Sequence, residues 1–215
     1  MKNLFESLWE KYEKKIEAIN KAPDKNPKDY LIEDGIDINH TSEYFCNDHK
    51  RVLFILKESN ESNVDNHGRK RKSIFACGGW FDSYDTNRKD NKVITKMIKM
   101  YHYIQNPTVS TCVQTYNSSD RYKFAFININ KHGNGKITSS CKSIKKALSD
   151  DADLLKEQIE ILNPNVIVLG VKALEEDFRE KIYKKLSDPH LSLIVTCHFS
   201  VLKYDDFEQE YKNSI

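Results

Sequence analysis

Val52-Leu53-Phe54-Ile55-Leu56 is a run of five apolar residues that stops abruptly at Lys57-Glu58-Ser59-Asn60. A short apolar run without alternation is typical of a strand that is buried on both faces of a sheet. We therefore predict a strand that is buried on both faces here, and we expect polar side chains at its carboxyl end.

Three further segments downstream have the same character. Polar residues follow two of them, since Asn128-Ile129-Asn130-Lys131 comes after one and Cys197-His198-Phe199-Ser200 after another. The three predicted strands are Phe124–Ile127, Val166–Gly170 and Leu191–Thr196.

Apolar residues with helical spacing precede and separate these strands. Pro107 and Pro164 mark the ends of two helices, because proline cannot continue a helix. The predicted helices are Phe5–Ile19, Val93–Ile104, Ala152–Leu162 and Ala173–Leu186, and a short polar helix closes the chain. This alternation of strands and helices predicts an α/β fold, with a mostly parallel central sheet and helices on both of its faces.

The chain has 215 residues, which is the length of one domain with a substantial core. Residues 21–50 are rich in Pro, Asp, Asn and Gly, and we interpret them as an irregular connection to which no chemistry is assigned. We assign residues 1–215 to a single domain. Its motifs lie between about residues 50 and 202, and the N-terminal helix packs on that region.

Charge and composition exclude several classes of protein. Thirty-four Lys and Arg against 32 Asp and Glu give a net charge of +2, so no global field requires a nucleic-acid or membrane partner. No segment approaches the roughly 18 apolar residues of a membrane span, and the start lacks a secretory signal. The five cysteines form no Cys-x-x-Cys pair, which argues against a disulfide framework. We expect a cytoplasmic protein without a membrane partner; the sequence leaves the oligomeric state open, and a monomer is the default expectation.

Three strand ends carry side chains that are suited to chemistry, namely Glu58, Asn128 and His198. Each has an ordinary structural explanation, as a helix cap, a turn former or a buried imidazole. However, ligands of open α/β sheets bind outside the carboxyl ends of the strands, where these three residues would line one cleft. A carboxylate, an amide and an imidazole in one cleft form a candidate site.

Other motifs are weaker. The basic run Arg69–Lys72 is suited to phosphate binding, although such runs are more often solvated loops. His40, Cys46 and His49 lack the spacing of standard zinc sites. Gly133-Asn134-Gly135 lacks the order of a Walker or dinucleotide loop and is better explained as a turn. We therefore predict no metal site and no cofactor.

The strand ends resemble motifs of the uracil-DNA glycosylase superfamily, in the order that the family has them. The family's first motif is a buried strand that leads to a water-activating Asp, Asn or Glu, and its second is a later strand that ends in a base-reading Asn. The third motif is a Pro before a strand that ends in Leu-Gly-Ala. The last motif is His-Pro-Ser. The similar segments here are Phe54–Asn60, Phe126–Lys131, Asn163–Ala173 and His198–Ser200, which together span Val52 to Ser200. The second of them is most similar to the iron–sulfur branch.

The chain also departs from the family's pattern. Lys57 and Ser59 stand in a motif where Gly, Gln and Pro are common, and Phe199 stands in place of the last Pro. The four iron–sulfur cysteines of the related branch are absent.

The resemblance implies excision of uracil or another altered base from single- or double-stranded DNA, after the base is flipped out of the duplex. Glu58 would activate water toward the sugar carbon, and His198 would hydrogen-bond the base oxygen as negative charge grows on it. Asn128 would pair with the pyrimidine edge. Further substrate contacts are expected from Lys57, Asn60, Trp80, Phe81 and Ser200. None of these roles needs a metal.

Two alternatives stay open. The irregular first motif favours a non-catalytic protein that keeps the glycosylase fold and binds nucleic acid or a nucleotide. The near-neutral net charge also permits a hydrolase that acts on a small nucleoside.

Overall fold

The computed structural model describes residues 2–21, 30–31, 33–58, 92–108, 118–133, 140–197 and 204–214. The strands within these residues are β1 (Tyr30–Leu31), β2 (Val52–Glu58), β3 (Ala125–Asn130), β4 (His132–Gly133), β5 (Val166–Leu169) and β6 (Ser192–Val195). Four of them form a parallel sheet in the order β3-β2-β5-β6, while β1 and β4 form a separate antiparallel pair. The predicted parallel sheet is confirmed.

Strand β2 is central, with β3 on one side and β5 on the other. Leu53 pairs with Ala125 in β3 and with Ile167 in β5, and the residues from Val52 to Leu56 are buried. A strand with neighbours on both edges and cover on both faces must be apolar throughout, which is the pattern that the sequence shows.

Helices cover both faces of the sheet, as predicted. The helices within the described residues are α1 (Lys2–Asn20), α2 (Thr41–Tyr44), α3 (Lys92–Gln105), α4 (Cys141–Asp150), α5 (Ala152–Leu162), α6 (Glu175–Lys181) and α7 (Tyr204–Ser214). Leu53 and Ile55 face one apolar core, which buries residues of α1, α4, α5 and α6. Phe54 and Leu56 face a second core with α3 and α7. Alternate residues of β2 therefore pack into two different cores, one on each face of the sheet.

Helix α4 was not predicted. Its buried apolar residues are Ile144 and Leu148, which lie one turn apart on the same face of a short helix. A second signal is its N-cap, because Ser140 Oγ accepts a hydrogen bond from the backbone N–H of Ser143 at 3.1 Å.

The prediction of one continuous helix over Ala173–Leu186 is wrong. The segment is a 3₁₀ turn, then α6, then a second 3₁₀ turn at Tyr183–Lys185. Ile182 has φ −125° and ψ −66°, which ends the regular helix. The hydroxyl of Tyr183 donates to the carbonyl of Leu191 at 2.5 Å, so a tertiary bond to the start of β6 competes with helical continuation.

In the described part of the chain, no helix combines the length and the apolar character that crossing a membrane requires.

The central position of β2 predicts a large cost for shortening its side chains. Ile55 is 1% exposed, and Ile55→Ala should lower the free energy of unfolding by about 2–5 kcal/mol through lost burial and a residual cavity. Urea unfolding followed by circular dichroism measures this change. The matched control is Leu4→Ala on α1, where the side chain is 55% exposed and the expected change is below about 0.5 kcal/mol. Equal unfolding midpoints for the two variants would contradict the assignment of β2 to the core.

Candidate functional site

The carboxyl edge of the parallel sheet brings together the ends of β2 and β3. Leu56 pairs with Asn128, and Glu58 pairs with Asn130 two residues further along. Neighbouring strands lie about 4.8 Å apart, so the backbone of Glu58 lies beside that of Asn130, and Asn128 is two residues back along β3. The side chain of Glu58 lies outside what the structure describes, and its place here is that of its backbone.

This edge also contains the point where the topology reverses. Among the described residues, the next helix after β2 is α3, which packs in one core, and the helix after β5 is α6, which packs in the other. In open α/β sheets the ligand crevice lies between the carboxyl ends of two such neighbouring strands. Glu58 ends β2 on one side of this point, and Gly170 and Val171 follow β5 on the other.

Strand β6 is farther away than the order of the motifs along the chain suggests. It lies two strands from β2 and three from β3, which corresponds to about 10 Å and about 14 Å at the level of the backbone. Thr196 follows β6 and is buried, and its Oγ1 has no hydrogen-bond partner among the described residues. The predicted site residues His198, Ser200, Asn60, Trp80 and Phe81 lie outside the described residues.

Asn128 is held by a residue that the sequence analysis did not select. Its backbone N–H donates to Asp34 Oδ2 at 2.7 Å, and its side-chain Nδ2 donates to the same oxygen at 2.9 Å. Asn128 is buried, with 2% of its surface exposed. The carboxylate of Asp34 therefore determines which way the amide of Asn128 points.

Two more buried side chains donate to Asp34. Lys131 Nζ forms an ion pair with Asp34 Oδ1, and Gln158 Nε2 from α5 donates to the same oxygen at 3.1 Å and to the Asp34 carbonyl at 3.0 Å. Asp34, Lys131 and Gln158 are fully buried. We call these residues, together with Asn128, the Asp34 cluster. Burial lowers the pKa of Lys131, and the nearby Asp34 carboxylate opposes that effect.

The Asp34 cluster also closes the free edge of β3. Phe126 N–H donates to the carbonyl of Gly35 at 2.9 Å, and Asn128 N–H, two residues on, donates to the Asp34 carboxylate. Outward-facing N–H groups of an edge strand recur every second residue, so these two contacts replace a further strand. Gly35 has φ +134°, a backbone conformation that residues with a Cβ rarely adopt, which favours glycine at this position.

A second pair of charged residues lies close to the Asp34 cluster. Lys15 on α1 pairs with the buried Asp151 at 2.5 Å, at the junction of α4 and α5. Burial raises the pKa of Tyr12, and the carboxylates of Asp151 and Asp34 raise it further. The N-terminal helix thus packs on the sheet through ionic as well as apolar contacts.

Sequence reasoning missed the Asp34 cluster for a physical reason. Asp34-Gly35 lies in an irregular segment, where such a pair normally indicates an exposed turn. No local pattern reports that its carboxylate meets Lys131 and Gln158, which are 97 and 124 residues away along the chain. Lys131 was recognised only as part of a polar strand end.

A different polar cluster lies at the opposite, amino edge of the sheet. Asp120, just before β3, accepts hydrogen bonds from His102 Nε2 at 3.0 Å and from Lys123 Nζ at 2.9 Å. Burial alone would raise the pKa of Asp120, but these hydrogen bonds outweigh it and lower the pKa to about 2. Because this edge is remote from Glu58 and Asn128, the pair of Asp120 and His102 is a structural element separate from the predicted site.

The imidazole of His40 belongs to this amino edge as well. Its ring stacks on Tyr122 with a centroid distance of 3.6 Å and an interplanar angle of 4°. The guanidinium of Arg121 lies 4.3 Å from the centre of the same tyrosine ring. Tyr122 is thus covered by a histidine and an arginine.

No family model, curated protein or solved structure matches this chain. Any functional interpretation therefore depends on the motifs and on the geometry described above.

The Asp34 cluster predicts unequal costs for removing its two charges. Asp34→Ala leaves the ammonium of Lys131 and the two N–H donors of Asn128 buried without the carboxylate, while Gln158 keeps only the backbone carbonyl of residue 34, and the change should cost about 3–5 kcal/mol of stability. Lys131→Met should cost less, because the Asp34 carboxylate retains three hydrogen-bond donors. Urea unfolding of both variants measures the difference.

The control for this comparison is Glu160→Ala, which breaks an exposed pair with Lys156 within α5. Its expected cost is below about 0.5 kcal/mol. An Asp34→Ala protein as stable as this control would show that the Asp34 carboxylate does not organise the strand end.

The lowered pKa of Asp120 predicts an acid-sensitive contribution to stability. Because its folded value of about 2 lies below the ordinary value of 3.8, the contribution is present above pH 3.8 and is lost as the pH falls toward 2. It amounts to about 2 kcal/mol, since one pKa unit corresponds to about 1.4 kcal/mol. Asp120→Asn should flatten the pH dependence of the urea midpoint in this range, whereas Asp206→Asn on the exposed side of α7 should retain it. An unchanged slope in Asp120→Asn would refute this contribution.

Proposed function

We propose that this chain is a DNA glycosylase-like hydrolase that removes uracil or another altered base at the carboxyl edge of its sheet. The observation that carries the proposal is the register of β2 and β3. It sets Glu58 beside the end of the asparagine-bearing strand, at the crevice where the topology reverses. A carboxylate next to an amide at such a crevice suits the hydrolysis of a bond to a nucleobase.

In the proposed reaction, Glu58 orients a water molecule and takes its proton as the oxygen attacks the sugar carbon. The carbon–nitrogen bond to the base breaks, and its electron pair leaves with the base, which then takes up a proton. His198 would donate a hydrogen bond to the base oxygen while that charge develops. The products are a free base and an abasic sugar.

The Asp34 cluster limits what Asn128 contributes. One donor of its Nδ2 is committed to Asp34, so the amide offers a base only its remaining N–H and its oxygen. We assign Asn128 a base-reading role that depends on Asp34 for the orientation of the amide. Asn130 pairs directly with Glu58 and is the amide nearest to it along the register.

A non-catalytic protein that binds nucleic acid or a nucleotide is the second candidate. The burial of Asn128 and its commitment to Asp34 favour it, because both reduce the polar groups that a flipped base would meet. Lys57 and Ser59 in the first motif favour it as well.

The deciding experiment uses labelled single- and double-stranded DNA with one uracil or hypoxanthine, and measures alkali-induced cleavage after incubation with the protein. We expect excision by the unmodified chain, and at least about a 100-fold slower rate for Glu58→Gln, the loss typical of removing a general base. The double variant Asn128→Ala, His198→Ala should also lose excision. Glu160→Gln on the exposed face of α5 is the matched control and should keep the full rate.

Four results would overturn the proposal. Normal excision by Glu58→Gln would exclude Glu58 as the general base. Normal excision by the double variant would exclude Asn128 and His198 as parts of the site. Absence of excision by the unmodified chain, together with salt-sensitive DNA binding, would establish the binding protein instead. Salt-insensitive hydrolysis of a free nucleoside would indicate a nucleoside hydrolase.

A further inference from the structure

The loop between α2 and β2 gathers three side chains of the kinds that bind transition metals. Cys46, Asp48 and His49 each offer one donor atom, and these atoms all lie within 4.8 Å of one another. His49 Nδ1 and Asp48 Oδ1 are already 2.7 Å apart. The loop lies at the amino edge of the sheet, so this trio is separate from the Glu58 crevice.

The trio faces open space. A cavity of about 430 Å³ is lined by all three residues, and Ser42, Glu43, Tyr101 and Lys123 complete its walls. A neighbouring cavity of about 560 Å³ shares Asp48 and His49 with it. A metal ion at the trio would therefore have a coordination position open to a water molecule or a small ligand.

We propose that Cys46, Asp48 and His49 form a zinc-type metal site with an open fourth position. A thiolate, a carboxylate and an imidazole are the donors that Zn²⁺ accepts, and three protein ligands with one exchangeable position are typical of a reactive zinc ion rather than a purely structural one. The site does not depend on glycosylase activity.

The geometry needs only a small adjustment. Bonds of about 2.0–2.3 Å in a tetrahedron place the donor atoms about 3.3–3.6 Å apart. The donors here are therefore at most about 1.5 Å too far apart, and the hydrogen-bonded His49–Asp48 pair is slightly too close. Cys46 and Asp48 are exposed, so a rotation of either side chain suffices.

The surroundings favour a cation. The carboxylate of Asp48 is exposed, and its Oδ1 lies 2.7 Å from His49 Nδ1. Glu43 lies on the same cavity wall, and the cation on that wall, Lys123, is paired with Asp120. Binding would release the proton of the Cys46 thiol to solvent, because the thiolate is the ligand.

His49 provides the rigid part of the site. Its side chain is 11% exposed, and its ring packs edge-on against Tyr101 at a centroid distance of 5.9 Å. The sequence analysis predicted no metal here, because His40, Cys46 and His49 lack the spacing of standard zinc sites. In the structure His40 stacks on Tyr122, and Asp48 takes the third place.

Cobalt titration tests the site without any activity assay. The full chain is stripped of metal with a chelator and titrated with Co²⁺, and we expect one equivalent to produce a thiolate-to-cobalt absorption band that Zn²⁺ removes. Cys46→Ser should abolish the band. Asp48→Asn and His49→Gln should weaken Co²⁺ binding by more than about tenfold, since even outer partners of a metal site cause losses of that size.

Cys141→Ser is the matched control, because Cys141 is also exposed but begins α4. It should retain the band and the affinity, and circular dichroism should show that each variant keeps its fold. A band that persists in Cys46→Ser would assign the thiolate to another cysteine and overturn the proposal. The absence of Co²⁺ and Zn²⁺ binding at micromolar concentrations, or an equal loss in Cys141→Ser, would overturn it too.

Discussion

The carboxylate of Asp34 is the constraint on which much of this structure depends. It accepts hydrogen bonds from β3, from the segment after β3 and from α5, and the chain next to it closes the edge of the sheet. A buried ion pair with Lys131 is costly to desolvate and contributes little net stability by itself. The ion pair instead favours one arrangement of the chain over others. If the carboxylate does not contact its donors, several buried polar groups are left without hydrogen bonds.

This constraint connects the irregular part of the chain to the regular part. Residues 33–37 contain no helix and only a single bridge, yet they include four buried residues: Asp34, Gly35, Ile36 and Asp37. The hydrogen bonds to Asp34 hold this segment against β3, which in turn orients Asn128 near the end of β2. The proposed reaction site and the closed sheet edge therefore share one carboxylate, and a substitution at Asp34 would change both.

The parallel arrangement of the strands separates two kinds of chemistry. In the parallel sheet all carboxyl ends lie at one edge, where Glu58 pairs with Asn130 in the register of β2 and β3, and all amino ends lie at the other, near His102 and Asp120. The loop that leads into β2 adds Cys46, Asp48 and His49 to the amino edge. The two apolar cores lie between these edges, so the polar groups at one edge are separated from those at the other.

The sequence by itself determined the class of fold and the burial of β2 on both faces, because a run buried on both faces must be apolar and prolines must end helices. It also determined that Glu58 and Asn128 would lie at the same edge, since parallel strands share their direction. Only the tertiary structure decided the strand order, which places the end of β6 three strands from Asn128, and only it revealed Asp34 and the trio around Cys46. The break in the helix near Ile182 also belongs to the tertiary structure, in which the hydroxyl of Tyr183 donates a hydrogen bond to the carbonyl of Leu191. The physical reason is the same in each case: periodicity records which face of an element is buried, whereas pairings between distant polar groups leave no periodic trace.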